Sequence, residues 1–144
     1  MARALGLDLG ERRIGVALSD SAGTMATPYE VVTRSGDRAR DHARIAALAE
    51  ETGADVLVIG LPLSLDGTKG PAAQNVEAEA DELGERLDLP VELWDERFST
   101  VEAARRLRAT GLPRAKRRHV VDQVAATVIL QSWLDANRHD ADRP

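Results

Sequence analysis

The sequence predicts an α/β domain built on a five-stranded mixed sheet, with the first three strands an antiparallel meander and helices on both faces. Three observations carry this. Apolar runs at 3–9, 14–20 and 27–33 follow one another with only turn residues between them. Two later runs, Val56-Leu57-Val58-Ile59 and Val91-Glu92-Leu93-Trp94-Asp95, are each preceded by a segment of helical periodicity. The first of these is apolar without interruption, as in a strand buried on both faces, so helical crossovers between parallel strands follow.

The elements can be justified in order. Gly10-Glu11-Arg12-Arg13 is a four-residue turn between the first two strands. The third strand has Val31-Val32 at its centre and Pro28 at its start, where a missing amide donor matters least. Ile45, Leu48 and Ala49 repeat at helical spacing, and Gly53 supplies the stop. Gly60-Leu61-Pro62 ends the fourth strand, and the glycine-bearing loop to Gly70 leads to Pro71, at the first turn of a helix over 71–87. The acids of that helix, Glu77, Glu79, Asp81, Glu82 and Glu85, read as a solvated face. After the fifth strand, Ser99 and Glu102 form a capping box for a helix over about 100–110, which stops at Gly111-Leu112-Pro113. A basic segment, Arg114 to Arg118, then leads into a last helix from about 118 to 136, with Val121, Val124, Val128 and Trp133 as its apolar stripe. The expected organisation is one domain over 1–137 and a flexible C-terminal tail over 138–144.

Composition narrows the chemistry. With 144 residues, 43% of them apolar, the chain supports one core. There is no cysteine, which excludes disulfides, thiolate metal sites and cysteine nucleophiles and fits a cytoplasmic protein. No apolar run approaches the roughly 18 residues of a bilayer span, so no membrane partner is expected. The net charge of −5 argues against a generic basic coat protein, and four aromatic residues are too few for a base-stacking platform. Contact with nucleic acid would run through its backbone. His42, His119 and His139 read as exposed and without a catalytic role.

Acids stand where a core-facing acid is unexpected: Asp8 at the end of the first strand, Asp95-Glu96 at the end of the fifth, and Asp122 among Val120, Val121 and Val124. A buried carboxylate must be paired or bind metal. Converging carboxylates without histidine or cysteine suit Mg²⁺ or Mn²⁺, and such ions serve phosphodiester cleavage. The competing explanation is a set of structural ion pairs, Asp122 with Arg118 and Asp8 with Arg12 or Arg13.

Four motifs resemble one family. Asp8-Leu9-Gly10 with Ile14-Gly15-Val16-Ala17, Val58-Ile59-Gly60-Leu61-Pro62-Leu63 with Asp66-Gly67-Thr68, Asp95-Glu96-Arg97-Phe98-Ser99-Thr100, and Val121-Asp122-Gln123-Val124-Ala125-Ala126 are similar, in order, to those of the YqgF/RuvX family of pre-16S rRNA nucleases and Holliday junction resolvases. Phe98 stands where members often carry leucine. The resemblance implies a ribonuclease H-like fold with Asp8, Glu96 and Asp122 as metal-binding catalytic acids and Mg²⁺ or Mn²⁺ as cofactor. It implies structured RNA (pre-16S rRNA) or branched DNA as partner, and a monomer or homodimer. Lys69 is a candidate phosphate contact. Arg97 is another, or else pairs with Asp95, and Arg114, Lys116, Arg117 and Arg118 resemble a backbone-binding patch. Asp-x-Gly between two strands also resembles the phosphate loop of actin-like ATPases, so a nucleotide- or RNA-binding regulatory module without cleavage is the alternative from another class.

Overall fold

A computed structural model describes residues 3–98 and 114–141, with the side chains of the last helix described from 124 to 137. Five strands, β1 (Ala4–Leu9), β2 (Arg13–Ser19), β3 (Ala26–Thr33), β4 (Val56–Leu61) and β5 (Val91–Asp95), form one sheet in the order β3-β2-β1-β4-β5. The first three pair antiparallel, whereas β4 runs parallel to β1 and β5 parallel to β4. This is the meander followed by crossovers that the apolar runs predict. Pro28 differs from expectation. It lies inside β3, not at its start, next to a shift of register between Val16 and Ala17 of the partner strand. The position is tolerated because β3 is an edge strand and a bulge leaves an amide unpaired.

Among the described residues three helices cover the sheet. α1 (Arg38–Thr52) starts at Asp37, whose side chain accepts a hydrogen bond from Arg40 N, and ends at Gly53 with φ of 69°. α2 (Pro71–Leu87) has the bounds that its sequence predicts. α3 (Arg114–Ala141) begins earlier than expected and includes the whole basic segment, which is thus helical and not a linker; it also runs on into the expected tail. Proline is well suited to the entry of a helix, so Pro113 directly before Arg114 was the available signal. The expected helix at 100–110 lies outside the described residues.

Alternation along the strands sorts side chains to two faces. Leu5 and Leu7 of β1, Leu57 and Ile59 of β4, and Ile14 and Val16 of β2 pack against Ile45 and Leu48 of α1 and Val76, Ala80 and Leu83 of α2. On the opposite face Ala4, Ala17 and Val58 pack against Ala125, Ala126, Ile129, Leu130 and Leu134 of α3. The buried stripe of α3 therefore differs from the valine stripe expected: Val124, Val128 and Trp133 are only half-buried beside it. Alanines and branched residues together face the sheet, with Ala125, Ala126, Ile129, Leu130 and Leu134 all buried. A Cβ placed on Gly6 would lie 2.7 Å from Leu130 Cβ, and one on Gly60 2.5 Å from Ile129 Cδ1, so these strands reach the helix only as glycine. Gln131 fixes the helix lengthwise, accepting from Ala26 N (2.8 Å) and donating to Thr24 O (3.0 Å).

Candidate active site

Asp8 shares its face of β1 with Ala4 and Gly6, the face that α3 covers, and is 6% exposed opposite Gly15. Directly after it, Gly10 N donates to Asp8 O (3.1 Å) and Arg13 O (3.0 Å), closing the turn into β2. A Cβ at Gly10 would stand 2.6 Å from Arg13 O, so the turn itself demands glycine here.

Glu96 opens a 3-10 turn, Glu96–Phe98, that follows β5. Two strands away from Asp8 in the sheet, it reaches inward through space that Gly60 leaves empty: a Cβ on Gly60 would lie 2.9 Å from Glu96 Oε1. This turn is tied to α3. Trp94 Nε1 donates to Ser132 Oγ (2.9 Å), and Ser132 Oγ donates to Phe98 O (3.1 Å). Phe98, the departure from leucine, sets its ring edge-on to Trp94 with centroids 5.8 Å apart.

Asp8 and Glu96 line one cavity of about 520 Å³ at the carboxyl ends of β1 and β4, together with Gly10, Gly60 and Pro62. Asp122 lies in α3 one turn before Ala126, whose carbonyl oxygen would be 3.3 Å from a Cβ on Gly6. Its side chain is outside the described residues. Among the described residues no three acidic or histidine side chains are grouped to hold a metal. Of the acids that line the cavity, Asp8 and Glu96 offer only oxygen donors, and the missing side chain of Gly60 makes room for Glu96. That donor set fits a hard divalent cation and not a thiolate- or imidazole-seeking one.

Adjacent to it, Asp95 and Arg97 pair with each other. Arg97 donates from its backbone N (2.9 Å), Nε (3.0 Å) and Nη2 (2.7 Å) to the Asp95 carboxylate, and from Nη1 to Leu65 O (3.2 Å). The Arg97 hydrogen bonds hold the Asp95 carboxyl below its ordinary range. Of the two roles open to Arg97, pairing with Asp95 is the one observed, and Asp95 is thereby turned to the loop after β4 while Glu96 faces the cavity. Lys69 Nζ is 2.9 Å from Glu77 Oε2 in an exposed pair. Arg114, Lys116, Arg117 and Arg118 occupy the first turns of α3, with side chains outside the described residues.

Two expectations fail on the far side of the cavity. Glu79 is 3% exposed and His42 is 3% exposed, so neither is part of a solvated surface. Their partners explain it: Glu79 receives Arg34 and meets His42, contacts 45 and 37 residues away in sequence. His119 and His139 lie outside the described side chains. A second cavity of about 540 Å³, lined by Arg12, Arg13, Arg34 and Arg38 with Glu11 and Asp41, adjoins the first and shares Glu11, Arg34 and Arg38 with it. In the sequence Arg12 and Arg13 stand only as turn residues and possible partners of Asp8. Their signal was the adjacency of two cations to the Asp8 turn.

Comparison with known proteins agrees with this architecture. Over 136 residues the chain is 49% identical to a Myxococcus xanthus protein named "Putative pre-16S rRNA nuclease", covering 94% of this chain and 89% of that one. A protein of the same name from Geobacillus thermodenitrificans is 46% identical over 137 residues, covering 94% and 99%. Among solved structures, Thermus thermophilus RuvC in complex with a Holliday junction substrate superposes with a TM-score of 0.60 at 18% identity, covering 95% of this chain and 97% of that one. At that identity the likeness is one of fold, ribonuclease H-like. The family model RuvX, described as Holliday junction resolvase, matches residues 2–136, and the chain belongs to the RuvX family.

Proposed function

We propose that this protein is a divalent-metal-dependent endonuclease that hydrolyses phosphodiester bonds of structured nucleic acid, acting in maturation of the 5′ end of pre-16S rRNA. The observation that carries the reading is that Asp8 and Glu96, far apart in sequence, line one cavity at the carboxyl ends of the parallel strands β1 and β5, on either side of β4. Asp8, Glu96 and Asp122 would hold Mg²⁺ or Mn²⁺. Bound there, the ion supplies the Lewis acidity that phosphodiester hydrolysis needs.

The chain's own side chains do the rest. Asp8 is buried at a strand end, so its carboxylate is held in place before substrate arrives. Arg97, fixed by Asp95, holds the loop after β4 beside Glu96. Lys69 and the α3 residues Arg114, Lys116, Arg117 and Arg118 are assigned to the phosphate backbone. The exposed pair of Lys69 with Glu77 contributes little to stability, so a phosphate replaces it at small cost. Residues 1–137 act as one catalytic domain, in the cytoplasm where ribosome precursors are made.

A second reading, cleavage of four-way DNA junctions, is favoured by the description of the matching family model. Symmetric cutting of two strands calls for a homodimer. One assay separates the readings: precursor rRNA and a four-way junction are incubated with the protein under identical Mg²⁺ and salt, and cleavage products are mapped. The rRNA precursor is expected to be cut, and Asp8→Asn to slow cleavage by about 1,000-fold, the several kcal/mol that a lost metal contact removes from transition-state stabilisation. Undiminished cleavage by Asp8→Asn overturns the assignment of Asp8. Exclusive cleavage of the junction, with a dimer in sedimentation, establishes the second reading instead.

A further inference from the structure

The acids of α2 are not alike. Asp81, Glu82 and Glu85 are exposed, whereas Glu79 is buried between α1, α2 and the end of β3. Its carboxylate receives two parallel hydrogen bonds from Arg34, Nη1 at 2.9 Å and Nη2 at 2.8 Å. From the α1 side, His42 Nε2 stands 2.7 Å from Oε2, and Arg38 Nη2 3.7 Å from Oε1. Replacing such a buried ionic cluster by apolar side chains of similar volume is often neutral or stabilising, so packing alone is no reason for it to be here.

A third donor of Arg34 supplies a reason. Arg34 Nε donates to Gly10 O at 2.7 Å, and Arg34 N donates to Arg12 O at 2.9 Å. The guanidinium thus spans from α2 to the turn that follows Asp8, with its plane set by the two-point contact to Glu79. Gly10 is held from both directions: its N–H by Asp8 O and Arg13 O, its carbonyl by Arg34. Arg34 and Glu79 line the same cavity as Asp8.

We infer that Glu79, acting through Arg34, is a positioning residue that sets the Asp8–Gly10 turn and with it the Asp8 carboxylate. The inference rests on the reading of Asp8 as a metal-binding acid, and it adds a device that none of the family motifs contains. A brace that served only to join α1 to α2 would have no use for the Arg34 contact with Gly10 O. Partners that orient a metal ligand from outside typically change metal affinity or activity by about 10- to 100-fold when removed.

Two substitutions test it. Arg34→Lys keeps the charge but cannot meet Gly10 O and both Glu79 oxygens together; Glu79→Gln keeps the shape but frees the guanidinium. Mn²⁺ affinity of the free protein, measured by calorimetry, is expected to fall about tenfold in Arg34→Lys and less in Glu79→Gln. The loss in cleavage is expected in kcat, with KM for nucleic acid within about twofold, since binding through outer cations is untouched. Folded variants that bind Mn²⁺ like the wild type overturn the proposal. If Glu79→Gln does not fold, Arg34→Lys decides alone. If neither folds, the wild type decides: an Arg34 Nε–H exchanging with solvent as fast as an exposed arginine overturns it. A wild-type protein that binds no Mn²⁺ counts against the nuclease reading instead; the positioning is then judged by hydrogen exchange at Gly10, and unchanged protection in Arg34→Lys overturns it.

Discussion

The two faces of the sheet are built on opposite principles. Toward α1 and α2 the strands present Leu5, Leu7, Ile14, Leu57 and Ile59, all fully buried, and the layers are held apart by large side chains. Toward α3 they present Ala4, Gly6, Ala17 and Gly60, and the helix answers with Ala125 and Ala126 and sets Ile129 and Leu130 directly over the glycines. The first face can stabilise by area, since burying a leucine-sized side chain contributes about 1.5–3 kcal/mol. The second gives up much of that area to let backbones approach. Both Asp8 and Glu96 belong to the second face. The contrast shows where a fold spends volume on stability and where it spends proximity on a site.

Substitutions that exchange the two principles probe this directly. The largest effect is expected from Leu7→Ala on the well-filled face, about 2–5 kcal/mol of unfolding free energy, read by urea denaturation. Gly6→Ala, one residue away on the close-packed face, adds a methyl where the nearest atom is Leu130 Cβ, close to the helix backbone and unable to swing aside. A loss of about 1–3 kcal/mol is expected, with cleavage falling more than stability explains. If Gly6→Ala is neutral, the close approach is looser than described and the comparison fails.

Two ion pairs of different exposure respond to acid. Burial alone would raise the Glu79 carboxyl, but hydrogen bonds from Arg34 and His42, with the charges of Arg34 and Arg38, outweigh it and hold the group below its ordinary value. Asp95 is lowered by Arg97. A carboxyl whose pKa is lower in the folded state adds stability above its unfolded pKa and gives it up as pH falls through the folded one. Stability should therefore decline below the usual carboxylate range. Glu79→Gln is expected to flatten that decline, and Asp95→Asn to flatten it less, because Arg97 is exposed and solvent screens the pair. Equal effects in acid titrations followed by circular dichroism would remove the distinction between the buried and the exposed pair. The smallest change is expected from Arg12→Ala beside the second cavity: nucleic acid binding weakens, and the slope of log affinity against log salt falls by about 1, as for one lost phosphate contact.

Much of this organisation is legible in the chain, residue by residue. Val56-Leu57-Val58-Ile59 declares a strand buried on both faces, and Pro71 marks the start of α2, because both signals are local. Asp8 and Glu96 are visible as acids at strand ends, and the motifs around them point to the candidate site. Glu79 was misread for a physical reason. A charge on an acidic helix looks solvated unless its partners are known, and Arg34 and His42 arrive from other elements. A signal was nevertheless present: Glu79 lies between Val76 and Leu83 at helical spacing, on the stripe that Ala73 and Ala80 continue. The stripe of α3 differs from the valines because the buried side runs through Ala125, Ala126, Ile129, Leu130 and Leu134, and alanine carries a weak hydrophobic signal in sequence.

The length of α3 adds a mechanical consequence. At 28 residues it extends about 42 Å, against about 20 Å for the six residues of β1 on which it is clamped. Such a helix is a beam gripped in its middle, and a beam of this kind multiplies any tilt at the grip by its overhang. A fraction of an ångström at Gly6 or Gly60 moves the backbone at Arg114 farther than it moves the backbone at Asp122. Two glycines thus act as the fulcrum that aims the basic end of the helix.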